Sequence, residues 1–169
     1  GTMVERRQLP PELRGHSRYD LIAPYAALPY NPDEAEVTSR ILSTELAALL
    51  VADWSKGRLP NWYIRGSGMA VASRLWSKDE EVRRWQEELP AALASMPAAD
   101  AFMTGKLAPA AGDLVAFGFV DAILRKPGNF DRLVDEVGNG KSFEEATREV
   151  FRRPPKELAE LWIASRRGR

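Results

Sequence analysis

The chain has 169 residues, with 24 Lys plus Arg against 24 Asp plus Glu, one histidine and no cysteine. That length suits about one domain with a core that needs no covalent staples. Balanced charge argues against a dedicated nucleic-acid binder, and the composition excludes disulfides, thiolate metal sites, cysteine nucleophiles and any metal site needing two histidines.

No apolar run approaches the roughly 18 residues of a membrane span, so no span is expected. Gly1-Thr2-Met3 reads as an expression scar. Residues 4–32 read as an extended N-terminal segment punctuated by Pro10, Pro11, Pro24, Pro29 and Pro32. Within it, Tyr19-Asp20-Leu21-Ile22-Ala23 is predicted to form a short edge strand, since proline stands beside it. Residues 33–165 read as a single helical domain, and 166–169 as a basic tail.

Asn31-Pro32-Asp33-Glu34 carries the signals of a helix start, and the helix should run to Trp54. Its second half, Leu46-Ala47-Ala48-Leu49-Leu50-Val51-Ala52, is apolar nearly all round, which predicts a central, buried helix. Gly57 and Pro60 break the chain before a second helix over 62–76, where Gly66 and Gly68 predict close packing against another backbone. Ser77-Lys78-Asp79-Glu80 reads as a capping box opening a helix to Leu89, stopped by Pro90. A short helical piece is expected over 98–104, then helices over 110–125 and 129–137. Ser142-Phe143-Glu144-Glu145 is a second capping box, for a helix to Phe151, and Pro154-Pro155 starts the last helix. The fold class is therefore mainly α, about seven helices with a small extended element in front.

Two segments carry the functional argument: Thr44-Glu45-Leu46-Ala47-Ala48, and Pro60-Asn61-Trp62-Tyr63-Ile64-Arg65-Gly66. Their layout resembles the peptidase MA-like (gluzincin) metallopeptidases, in which a His-Glu-x-x-His helix precedes a Pro-x-Trp-Leu-x-Glu-Gly segment. Further along, Gly140-Lys141-Ser142-Phe143-Glu144-Glu145-Ala146 resembles the family's closing pattern, and Leu158 to Trp162 its last helix. The likeness covers roughly residues 33–163. It implies the helical part of a gluzincin fold, and family members of this kind are often extracytoplasmic.

Set on Pro60-Asn61-Trp62, the motif places its two zinc histidines at Thr44 and Ala48 and its third ligand at Arg65. Only the general-base position, Glu45, keeps its residue. Alanine offers no donor atom, and a guanidinium repels a dication. The resemblance thus implies the fold without its metal or any other cofactor. Glu45 and Arg65 are expected to form an ion pair in place of the zinc.

Trp54, Trp62, Trp76, Trp85 and Trp162 read as core, with Trp85 the one best placed for partial exposure after Arg83-Arg84. His16 reads as a loop residue, and Ser43 and Ser67 lack a neighbouring base in the sequence. The expected function is non-catalytic binding or scaffolding of a protein or peptide, with Glu45, Arg65, Trp62 and Tyr19 as candidate binding residues. Two alternatives stand beside it. One is an enzyme reusing Glu45 with Asp53 or Arg65; the other is a regulatory module contacting nucleic acid through residues 142–169.

Overall fold

The computed structural model describes residues 16–18, 25–27, 35–126 and 128–167. Two three-residue strands, β1 (His16–Arg18) and β2 (Tyr25–Ala27), pair antiparallel with His16 opposite Ala27 and Arg18 opposite Tyr25. The expected strand Tyr19–Ala23 falls between them, outside the described residues. Among the described residues seven helices follow: α1 (Ala35–Trp54), α2 (Asn61–Leu75), α3 (Glu80–Ala94), α4 (Pro109–Leu124), α5 (Asn129–Gly138), α6 (Phe143–Phe151) and α7 (Pro155–Arg167). The ribbon lies against α1.

The centre of the fold is α2, packed between α1 and α4. Its glycines explain how three backbones come so close. A Cβ at Gly66 would stand 2.7 Å from the Ala116 carbonyl oxygen of α4. One at Gly68 would stand 2.4 Å from the Thr44 carbonyl oxygen of α1. Ser67, between them, is buried and donates to the Tyr63 carbonyl at 2.7 Å, so its hydroxyl is satisfied within the helix. Across the interface α4 presents Val115 to Val120 as an unbroken buried run.

Aromatic rings fill the space beneath. Trp62 meets Phe102 at 5.1 Å, Phe143 at 5.4 Å and Phe119 at 5.9 Å between ring centres. Tyr63 stacks on Phe130 at 5.9 Å. Rings from α2, α4, α5, α6 and the α3–α4 connection thus share one core.

Several expectations are corrected. Helix α1 is not central: Arg40, Ala48, Val51 and Ala52 are its buried residues, while Leu42, Leu46 and Leu50 are exposed. An all-apolar sequence cannot choose its buried face, and the small side of α1 wins because only it fits against Gly68. The cap of α3 is Asp79, not Ser77; its Oδ1 accepts from the Glu81 and Val82 amides at 2.9 and 3.2 Å. Pro90 lies inside α3 rather than ending it. It sits on the exposed face, where the Gln86 carbonyl it leaves without a donor can turn to water. Residues 98–104 form successive turns instead of a helix. Trp85 is buried against Phe117, since one step beyond Arg84 the helix has rotated it inward. The box at Ser142 forms as read: Ser142 Oγ accepts from the Glu145 amide at 3.2 Å, and the Glu145 carboxylate accepts from the Ser142 amide at 2.9 Å.

Two glycine-to-alanine changes of equal chemistry should separate propensity from packing. Gly68→Ala should lower stability by about 1–3 kcal/mol, because the obstacle is backbone that cannot rotate away. Gly112→Ala, whose added carbon meets only Leu107 Cβ at 3.8 Å, should be neutral or stabilising by up to about 1 kcal/mol. Urea midpoints of the two variants measure this directly.

Candidate functional site

The three positions aligned with zinc ligands lie on α1 and α2, and those helices are in direct contact. Thr44 spends its hydroxyl within α1, donating to the Arg40 carbonyl at 3.0 Å. Ala48 is buried with its Cβ 3.2 Å from where Gly68 would carry one. Close approach at Gly68 therefore fills the space between Thr44 and Ala48 with protein. Among the described residues no group of three His, Asp or Glu side chains is placed to hold a metal ion.

Arg65 is on the α2 surface, with 60% of its side chain exposed. Its bonded partner is Asp113 of α4, not Glu45. Arg65 Nη2 donates to Asp113 Oδ2 at 2.6 Å and Nε to Oδ1 at 3.0 Å, a two-point contact. The Asp113 hydrogen bonds, and more weakly the charge of half-buried Glu45, hold the guanidinium above its ordinary pKa. The expected Glu45–Arg65 ion pair is thus replaced by an Arg65–Asp113 bridge, which ties α2 to α4 instead of α1 to α2. Trp62 is half-buried with its ring among the core aromatics. Tyr19 lies outside the described residues.

A buried cation does hold α1, and it is Arg40. Only 5% exposed, it sets Nε 3.1 Å from Asp79 Oδ1 and its guanidinium carbon 5.6 Å from the centre of the Trp85 ring. Asp79 is also the α3 cap, so one carboxylate both starts α3 and binds α1 to it. Nothing in the local pattern distinguished Arg40 from a solvated arginine.

The outer face of α1 carries a row of exposed apolar side chains. Leu42, Leu46, Leu50 and Trp54 follow one another every fourth residue, with 39%, 45%, 69% and 43% of their surface exposed. Several polar side chains along the same helix already have partners. Ser39 and Ser43 each donate to the carbonyl four residues back at 2.8 Å. The Trp54 indole N–H donates to Asp135 at 2.6 Å. Such a surface can be covered without stranding a donor. The spacing 42, 46, 50, 54 is visible in the sequence, but the all-apolar second half of α1 points to burial on every side instead.

No family model matches this chain, and no curated protein or solved structure matches it.

Double-mutant cycles test the reassigned ion pair. Arg65 and Asp113 should couple by about 0.2–1 kcal/mol, the range of exposed pairs. Glu45 and Arg65 should couple more weakly than that pair. A larger coupling for Glu45 with Arg65 than for Asp113 would reverse the assignment.

Proposed function

We propose that this chain is a non-catalytic, metallopeptidase-like domain that binds or scaffolds a protein or peptide partner through the outer face of α1. The observation that carries the reading is the stripe of Leu42, Leu46, Leu50 and Trp54. Scattered exposed leucines need no explanation, but four large side chains in line along one helix make a contiguous patch of the kind that marks interaction surfaces. A partner segment laid along it would find an apolar ridge flanked by hydroxyls that are already satisfied. The gluzincin resemblance adds the framework: two helices that would share a metal are here joined by backbone contact at Gly68, so the cleft chemistry is given up and the scaffold kept.

The enzyme alternative needs a second acid or base beside Glu45. Arg65 is engaged with Asp113, and Asp53 is exposed two turns further along α1. For the nucleic-acid alternative, Arg148 and Arg153 are paired with Glu144 and Glu157, and Trp162 is buried. Neither alternative gains an observation.

The test compares the chain with a Leu46→Glu/Leu50→Glu variant as immobilised bait for proteins of the source cell. The two changes should leave helicity and Tm intact, since both side chains face solvent, and should weaken capture of the specific partner at least tenfold. Capture undiminished by the double change would contradict the reading, as would peptide turnover abolished by Glu45→Gln. Chelator should leave Tm unchanged.

A further inference from the structure

A second feature lies away from α1, where α7 crosses α4. A cavity of about 370 Å³ opens between these helices and the end of α6. That is within the range of small-molecule sites, roughly 300–1,000 Å³. Its walls are apolar: Ala122 and Ile123 of α4, Phe151 of α6, and Leu158, Leu161 and Trp162 of α7. Leu161 is still 48% exposed, so part of this apolar lining has no protein neighbour.

The polar groups around the cavity are mostly donors. Lys126, just past the end of α4, is exposed and has no ion-pair partner among the described residues. Arg153 is held by Glu157. The Ser165 hydroxyl donates to the Trp162 carbonyl at 2.6 Å. Trp162 itself is buried, and its indole N–H has no acceptor among the described residues. An apolar recess edged by an unpaired ammonium is complementary to a ligand that is greasy along its length and negative at one end.

We infer that the cavity between α4 and α7 is a binding site for a free medium-chain acyl carboxylate, with the chain against Ile123, Leu158, Leu161 and Trp162 and the carboxylate at Lys126. The ammonium supplies charge complementarity at the mouth, while selectivity for length comes from the finite apolar depth. Arg153, the other cation of the lining, is already paired with Glu157, which leaves Lys126 as the unpaired charge at the mouth.

Calorimetric titration of the whole chain with hexanoate, octanoate and decanoate, below their micellisation, tests this. Saturable one-to-one binding should tighten about fourfold per added methylene. Decylamine, of equal length and opposite charge, should bind at least tenfold more weakly than decanoate. Lys126→Glu should weaken decanoate at least tenfold with Tm unchanged, because Lys126 is exposed. Leu46→Glu, on the α1 face, should leave decanoate affinity unchanged, which separates this site from the proposed protein-binding surface. No saturable binding, equal affinity for the amine, indifference to Lys126→Glu, or loss of binding on Leu46→Glu would each overturn the assignment.

Discussion

The structure depends on one steric fact: α2 has no side chain where α1 and α4 press on it. With hydrogen at Gly66 and Gly68, backbone carbonyls of both neighbours reach the α2 surface, where a Cβ would come within 2.7 and 2.4 Å of them. That contact decides the rest. It selects Ala48 and Ala52 as part of the buried side of α1, since only small residues fit there. It turns the leucines of α1 outward. It sets α2 so that Trp62 and Tyr63 reach the ring cluster with Phe102, Phe119, Phe130 and Phe143. Burial of those rings offsets the helix-propensity cost of the glycines, about 1 kcal/mol each.

Much of the helix plan was legible because its signals are local. The box at Ser142 needs only residues 142 and 145, and it forms as the sequence states it. Helices α4 to α7 begin and end close to where Pro, Gly and the caps put them. The packing value of Gly66 and Gly68 was also legible, though the neighbours were not. What failed was long-range. The choice between the two sides of α1 is made by Gly68, in another helix. Selection of Asp79 over Ser77 as cap is coupled to Arg40, 39 residues earlier, which buries its charge against the same carboxylate. Pro90 is tolerated because it faces solvent, a circumstance set by how α3 docks.

The expected packing of α1 on α2 forms, but the expected ion pair between them does not. Thr44 and Ala48 do face α2, but the space between them is taken by backbone contact, and Arg65 looks across to Asp113 on the opposite neighbour. A charge pair substituting for zinc would have required Arg65 to lie in the α1–α2 seam, yet that seam is closed by backbone contact at Gly68 and leaves no room for a guanidinium. The helix pair is instead held by close packing, with Arg40 clamping α1 to α3 from the side. Consequently the chemistry of the surface is carried elsewhere: by the leucine stripe of α1 and by the donor-edged recess beside α7.

Native-state hydrogen exchange tests the central claim most directly, because it ranks helices by the free energy needed to open them. If α2 is clamped between α1 and α4, amides of Ala70, Ala72 and Val115 to Val120 should exchange only through global unfolding, with one shared denaturant dependence. Amides of α7, which rests on fewer neighbours, should open at lower free energy. Exchange of the α2 amides at a lower free energy than those of α7 would contradict the account.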